Sequence, residues 1–133
     1  MKNSELIDIA IGAMKSSYAP YSKYNVGAAI LTKSGKVYTG CNIENASYSA
    51  TNCAERTAIF KAVSDGEKGF RKIAIVGGKN GEITNYAPPC GICRQVLAEF
   101  CDNDFIVITA KSSEEYIEYT LEELLPNNFK LKI

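Results

Sequence analysis

The sequence predicts an α/β protein with three layers, α/β/α, around a central mixed five-stranded sheet. Two observations support this prediction. Apolar residues with helical spacing alternate along the chain with short β-branched runs that are typical of buried strands. The 133 residues include 46% hydrophobic side chains, enough for an ordinary core, and they contain no internal repeat, linker or low-complexity tract. We therefore expect residues 1–133 to form a single domain.

The first part of the chain predicts a helix followed by a β-hairpin. Apolar residues with the spacing of one helix face occupy residues 6–14. The segment 18–22 ends this helix, because Pro20 disfavours helical geometry in the residue before it. The apolar run 26–31 predicts a buried strand, and residues 36–41 return as its partner after a Ser-Gly turn.

The rest of the chain predicts alternating helices and strands. Alanine-rich helical spacing covers residues 54–63. β-branched runs at 72–77 and 105–109 predict two strands, and a helix at 91–100 lies between them. A final strand or turn is expected before a short helix near 121–125.

Composition limits the classes of function. Fifteen basic and fifteen acidic residues cancel, and a neutral chain favours a small ligand over a nucleic acid polymer, whose binding depends on phosphate neutralisation. No secretory or membrane-spanning apolar run occurs, so we expect a cytoplasmic protein with no membrane partner. The sequence has no histidine, which excludes Ser-His-Asp and Cys-His catalysis and leaves thiolates and carboxylates to ligate a transition metal.

The five cysteines favour metal binding or burial over a disulfide framework. Cys90 and Cys93 share one face at a predicted helix start, where amides and the helix dipole stabilise thiolates, although a C-x-x-C pair also suits redox chemistry or half a zinc ribbon. Cys53, at another helix start, adds a third sulfur, and three ligands with a free fourth position are typical of catalytic zinc. The alternative is a closed structural site with Cys41 or Cys101 as fourth ligand. Otherwise we expect these two cysteines to be small buried hydrophobes.

Two charged residues follow Cys53. Glu55, in the first helical turn, can approach a zinc-activated water without ligating the metal, so we predict a general acid–base role. Taken alone, a glutamate there could simply complement the helix dipole. Three thiolates give a zinc site a net charge of −1, and we expect Arg56 to withdraw some of that density by donating to a ligand sulfur, with Arg94 assisting.

Four ordered blocks of sequence resemble a known family. They are Tyr21-Ser22-Lys23 with Val26-Gly27-Ala28-Ala29, Asn42-Ile43-Glu44-Asn45-Ala46-Ser47, Cys53-Ala54-Glu55-Arg56-Thr57-Ala58 and Pro89-Cys90-Gly91-Ile92-Cys93-Arg94-Gln95. The third and fourth blocks match the His-x-Glu and Pro-Cys-x-x-Cys pattern of zinc deaminases, with cysteine in place of histidine. Between Leu6 and Phe129 the chain therefore resembles the cytidine deaminase family, in its small, homotetrameric, all-cysteine type.

The resemblance implies one Zn²⁺ per chain and hydrolytic deamination of cytidine and deoxycytidine to uridine and deoxyuridine, in pyrimidine salvage. It implies that Asn42 and Glu44 hydrogen-bond the ribose and that the backbone at Ala54 reads the pyrimidine edge. Tyr24 and Tyr48 are candidates for the pocket wall, with plain packing as the alternative. The resemblance also implies a homotetramer whose subunits contribute to one another's pockets.

The sequence departs from the family pattern at three places. Tyr24 stands where phenylalanine is common, Pro88 stands where serine is frequent, and the chain ends soon after Phe129, to which we assign no role. Two alternatives to cytidine deamination stay open: deamination of a related cytosine nucleoside such as blasticidin S, and a non-enzymatic zinc-stabilised binding module. The block at 42–47 points away from blasticidin S.

Overall fold

A computed structural model of the protein describes residues 1–131. Four α-helices and five strands make up the regular structure of this part of the chain. The helices are α1 (Asn3–Met14), α2 (Ala54–Ser64), α3 (Gly91–Phe100) and α4 (Leu121–Leu124), and the strands are β1 (Tyr24–Thr32), β2 (Val37–Cys41), β3 (Phe70–Lys79), β4 (Ile106–Ala110) and β5 (Tyr116–Thr120). A short 3₁₀ helix at Tyr48–Ala50, which the sequence did not predict, precedes α2. None of the helices within residues 1–131 has the length and apolar character needed to cross a bilayer.

The five strands form one sheet in the order β2-β1-β3-β4-β5. Neighbouring strands are antiparallel except β3 and β4, which are parallel because α3 carries the chain back between them. The mixed five-stranded sheet predicted from the sequence is therefore confirmed.

Helices cover both faces of the sheet, which gives the predicted three layers. Side chains alternate across each strand, so that Ile30, Ile73 and Val107 face one core while Leu31, Ala74 and Ile108 face the other. The first core also contains buried residues of α2, α3 and α4, and the second contains the apolar face of α1.

Two glycines let helices pack directly against strand backbone. A Cβ atom at Gly27 would lie 2.1 Å from the carbonyl oxygen of Ala10 in α1, and one at Gly40 would lie 2.2 Å from that of Ala54 in α2. No side chain fits in either place, so Gly27 sets the distance between α1 and the sheet and Gly40 sets that between α2 and the sheet.

The structure differs from the sequence prediction at both ends of the sheet and after α1. Helix α1 ends at Met14. Beyond it, the backbone N–H of Tyr18 donates to the carbonyl oxygen of Asn42, so the chain there pairs with the segment that follows β2. Cys41, predicted to be buried, is only half-buried, since it ends the edge strand β2. The uncertain element before α4 is a strand, β5, whose first residues are exposed at the other edge.

The topology brings the starts of α2 and α3 together. Strands β2 and β3 are both antiparallel to β1, so they run in the same direction and end at the same edge of the sheet. Each is followed by a loop and then by a helix on the same face. In open α/β sheets, the crevice beyond the carboxyl ends of such strands is the usual place for a ligand.

Candidate active site

Three cysteine sulfurs converge where α2 and α3 begin. Cys53 is the residue before α2, and Cys90 is the residue before α3. The Sγ atom of Cys90 lies 3.6 Å from that of Cys53 and 3.1 Å from that of Cys93, and all three sulfurs lie within 4.8 Å of one another. One small ion can therefore contact all three.

The chemistry of these donors fits zinc. Thiolates are soft ligands that select zinc, and two helix N-termini aimed at the cluster favour the charged form of the sulfur. Within residues 1–131, no fourth Cys, Asp or Glu joins the group, and Cys41 and Cys101 lie outside it. A tetrahedral ion held by three sulfurs keeps a position for a non-protein ligand, as catalytic zinc sites do, so the geometry does not support a closed structural site.

The pKa values of two of the thiols, Cys53 and Cys93, are shifted in opposite directions. Hydrogen bonding to Cys93, and then to Arg56 and Cys90, lowers the pKa of Cys53 to about 5 against the effect of burial. The pKa of Cys93 is raised, because it hydrogen-bonds Cys53 and is buried. The metal-ligating form of one thiol is thus favoured at neutral pH by its immediate neighbours.

The two arginines near the cluster make different contacts. Nη2 of Arg56 lies 3.2 Å from the Sγ atom of Cys53, and this hydrogen bond raises the pKa of the guanidinium. The predicted assistance from Arg94 at the sulfurs is wrong. Its Nε and Nη1 donate instead to the backbone oxygens of Pro89 and Leu124, at 2.9 and 2.8 Å, because the side chain extends across to α4.

Glu55 is buried beside the sulfurs, with only 5% of its surface exposed. Burial raises its pKa to about 7, and hydrogen bonds from its own backbone amide and from Cys93 act in the opposite direction. A carboxyl group with such a pKa can both accept and donate a proton near neutral pH, as a general acid–base requires.

A cavity of about 300 Å³ opens onto this cluster. Cys53, Cys90 and Glu55 line it, and so do three other predicted site residues: Tyr24, Asn42 and Ala54. Its size lies at the lower end of the range for small-molecule pockets.

Asn42 is held tightly at the wall of this cavity. Its Oδ1 accepts from the backbone N–H of Val26 at 2.9 Å, and its Nδ2 donates to the carbonyl oxygen of Tyr24 at 2.8 Å. The amide has two N–H groups, so one remains for a ligand. The side chain is thus fixed in direction before any ligand binds.

Glu44 and Tyr48 line a different cavity of about 400 Å³, although Thr51 borders both. Glu44 Oε1 accepts from the backbone N–H groups of Tyr21 and Ser22 at 2.9 and 3.1 Å, and Oε2 accepts from the Ser22 hydroxyl. These hydrogen bonds, that of the hydroxyl above all, lower the pKa of Glu44. Within one chain, therefore, Asn42 and Glu44 line two cavities that both border Thr51, and the Glu44 carboxylate is held by the 21–22 loop.

Several residues lining the first cavity were not singled out from the sequence. They are Val26, Thr51, Asn52, Ile75, Tyr86 and Ala87. Thr51 and Asn52 directly precede Cys53, so adjacency alone could have indicated them. Tyr86 is harder to identify from the sequence, because its position depends on distant parts of the chain. The Lys111 ammonium lies over its ring, 4.9 Å from the centroid.

The comparisons with known proteins agree with this geometry. The family model described as cytidine and deoxycytidylate deaminase zinc-binding region matches residues 1–109. Cytidine deaminases from Sporosarcina psychrophila and Halalkalibacterium halodurans are 47% and 48% identical to the chain over 129 residues, covering 97% of it and 92% and 95% of their own lengths. A crystal structure of cytidine deaminase from Burkholderia pseudomallei, 42% identical, superposes with a TM-score of 0.88 over 97% of this chain and 100% of that one. On these grounds, the chain belongs to the cytidine and deoxycytidylate deaminase family.

Proposed function

We propose that the chain catalyses hydrolytic deamination of cytidine and deoxycytidine, in which water replaces the exocyclic amine and uridine or deoxyuridine leaves with ammonia. One observation carries the proposal: three sulfurs converge beside a buried carboxylate, and two of them, those of Cys53 and Cys90, line a cavity of about 300 Å³ together with that carboxylate. The names of the relatives, which match over nearly the whole chain, support the same reaction.

The proposed chemistry divides between the metal and Glu55. Zinc, when bound by Cys53, Cys90 and Cys93, supplies Lewis-acid activation of water. Glu55 accepts a proton from the attacking water and returns it to a substrate nitrogen. Burial of Glu55 supports this role, since a buried carboxylate is not solvated by bulk water and has a pKa near neutrality. Arg56 moderates the charge of the three thiolates through its hydrogen bond to Cys53.

Substrate recognition is proposed to use both cavities. The free N–H of Asn42 and the backbone at Ala54 meet the nucleoside in the first cavity, and Tyr24 forms part of its wall. Glu44 and Tyr48 contribute from the second, toward the ribose. A site built from such polar groups rejects a ligand that leaves them unpaired.

The assembly is proposed to be a cytoplasmic homotetramer that serves pyrimidine salvage. Tyr48 is 77% exposed in one chain although it borders a candidate substrate cavity. Ile43 and Phe60 are also exposed, in a groove along α2 and β2. Other subunits would cover these apolar side chains. Light scattering of the purified protein measures the number of chains.

Rates on three substrates test the proposed reaction. Purified protein is incubated with cytidine, deoxycytidine or blasticidin S, and absorbance loss, ammonia and zinc content are measured. We expect turnover of both nucleosides with one zinc per chain. Turnover of blasticidin S alone would assign the alternative substrate.

Glu55→Gln separates the enzyme from a zinc-stabilised binding module. We expect normal zinc content and a loss of turnover of about 10²- to 10⁴-fold. Glu99→Gln, which changes an exposed carboxylate on α3, is the matched control and should retain wild-type rates. A wild-type protein that binds zinc but turns over none of the three substrates would support the module instead.

A further inference from the structure

Arg94 contacts both sides of a zinc-ligand residue. Its backbone N–H donates to the carbonyl oxygen of Cys90 at 3.1 Å, and its side-chain Nε donates to the carbonyl oxygen of Pro89 at 2.9 Å. These two carbonyls belong to the peptide groups before and after the Cα atom of Cys90. One residue therefore holds both peptide planes that set the direction of the Cys90 side chain.

Besides Arg94, the backbone N–H of Cys93 contacts Cys90, donating to its Sγ atom at 3.4 Å. Pro88 and Pro89 carry no backbone N–H, so neither can donate a hydrogen bond to stabilise the turn. Cys90 adopts φ −66° and ψ 167°, an extended conformation from which the chain enters α3 directly. The hydrogen bond from Arg94 to Pro89 is charge-assisted, and such bonds are roughly twice as strong as neutral ones.

The other branch of the Arg94 guanidinium reaches the C-terminal segment. Nη1 donates at 2.8 Å to the carbonyl oxygen of Leu124, the last residue of α4. Carbonyls in the last turn of a helix lack an intrahelical partner, so Arg94 caps α4 while it holds the ligand turn. A hydrogen-bonded capping box between Thr120 and Glu123 fixes the first turn of α4, which makes this segment a defined anchor.

We infer that Arg94 is a positioning residue, which holds Cys90 in place for zinc by tying its turn to α4. This inference rests on the three-cysteine zinc site proposed above. The planar guanidinium spans two carbonyls in a fixed geometry, which a lysine ammonium does not reproduce. Loss of the tie frees the Cys90 turn, and zinc then has to order that turn when it binds.

The test measures zinc affinity directly, by competition with a chromophoric chelator starting from the zinc-loaded protein. We expect Arg94→Gln to bind zinc about 10- to 100-fold more weakly than wild type. Arg94→Lys keeps the charge but can reach only one of the two carbonyl oxygens, that of Pro89 or that of Leu124. Its zinc affinity should therefore lie between those of wild type and Arg94→Gln. In cobalt-substituted protein, the thiolate-to-cobalt absorption should weaken or shift in the same order.

Lys130→Met is the matched control. Lys130 also joins the C-terminal segment to α3, because its Nζ donates to the carbonyl oxygen of Cys101 at 3.1 Å, but it does so at the far end of the helix from the sulfurs. A purely structural tie would lower thermal stability in both variants without a selective effect on zinc. We expect the zinc affinity of Lys130→Met to match wild type.

Two outcomes would overturn the inference: an unchanged zinc affinity in Arg94→Gln, or an equal loss in Lys130→Met. Should Arg94→Gln fail to fold, the same comparison is made with Arg94→Lys, and an affinity equal to wild type overturns the inference. Failure of the proposed reaction looks different, because wild-type protein would then bind zinc without turning over substrate, and failure of the zinc site itself would leave wild-type protein with no zinc at the cysteines.

Discussion

Gly40→Ala should push α2 away from the sheet and so disturb the site at its N-terminus. The added Cβ atom would lie 2.2 Å from the carbonyl oxygen of Ala54 and 2.5 Å from the backbone nitrogen of Ala58. Ordinary contacts of this kind are 3.4 to 4 Å long, so the overlap exceeds an ångström. Both atoms belong to the helix backbone, and no side-chain rotation relieves the clash.

The cost follows from this geometry. Overpacking a core costs about 1–3 kcal/mol when side chains can adjust, and here only backbone can move, so we expect about 3 kcal/mol or more. Replacing glycine returns about 0.4–1 kcal/mol through the unfolded state, which does not offset that loss. Since Cys53 directly precedes the displaced helix and Glu55 lies in its first turn, a shift of about 1 Å should also lower kcat/KM by about 100-fold.

Urea unfolding at matched protein and zinc concentrations measures the stability, and steady-state kinetics with cytidine measure the activity. Gly12→Ala is the control, because a Cβ atom there meets nothing within 4 Å and alanine favours the helix. A loss below about 1 kcal/mol in Gly40→Ala, outside the expected range for such a clash, would refute the reasoning.

Three further substitutions test individual groups of the site. Arg56→Gln should keep the fold and reduce turnover about 10- to 100-fold, since it removes the donor 3.2 Å from the Cys53 sulfur; unchanged turnover under saturating cytidine would show that this contact has no catalytic role. Asn42→Ala should raise KM and cost about 1–3 kcal/mol of stability in urea unfolding, because the backbone N–H of Val26 loses its partner; an unaltered KM would remove Asn42 from substrate binding. Cys101→Ala should retain one zinc per chain by metal analysis, as its thiol lies outside the sulfur cluster, and a protein without zinc would contradict the ligand set.

The sequence predicted the elements whose signal is local. Helices α2 and α3 begin at the residues expected, Ala54 and Gly91, because the pattern of small and apolar residues changes abruptly there. The strands that lie in the middle of the sheet were found for the same reason, although β1 extends two residues before and one after its apolar run and β3 extends two residues at each end. Backbone pairing continues past the ends of the apolar runs, and composition does not report this.

What depends on distant parts of the chain was harder to predict. Strand β5 is exposed along its first three residues, and its place is set by pairing with β4 rather than by an apolar pattern. The Glu44 carboxylate is held by two backbone N–H groups that lie 22 and 23 residues earlier. Arg94 is adjacent to Cys93 in sequence, yet its guanidinium reaches Leu124, 30 residues away. Spacing along the chain identifies candidate residues, but tertiary contacts decide what each side chain can reach.

Zinc K-edge X-ray absorption on the purified protein measures the coordination directly. We predict three sulfur scatterers at about 2.3 Å and one oxygen or nitrogen scatterer at about 2.0 Å. Four sulfurs around the ion, or a shell with fewer than three, would contradict the account of how Cys53, Cys90 and Cys93 hold the metal.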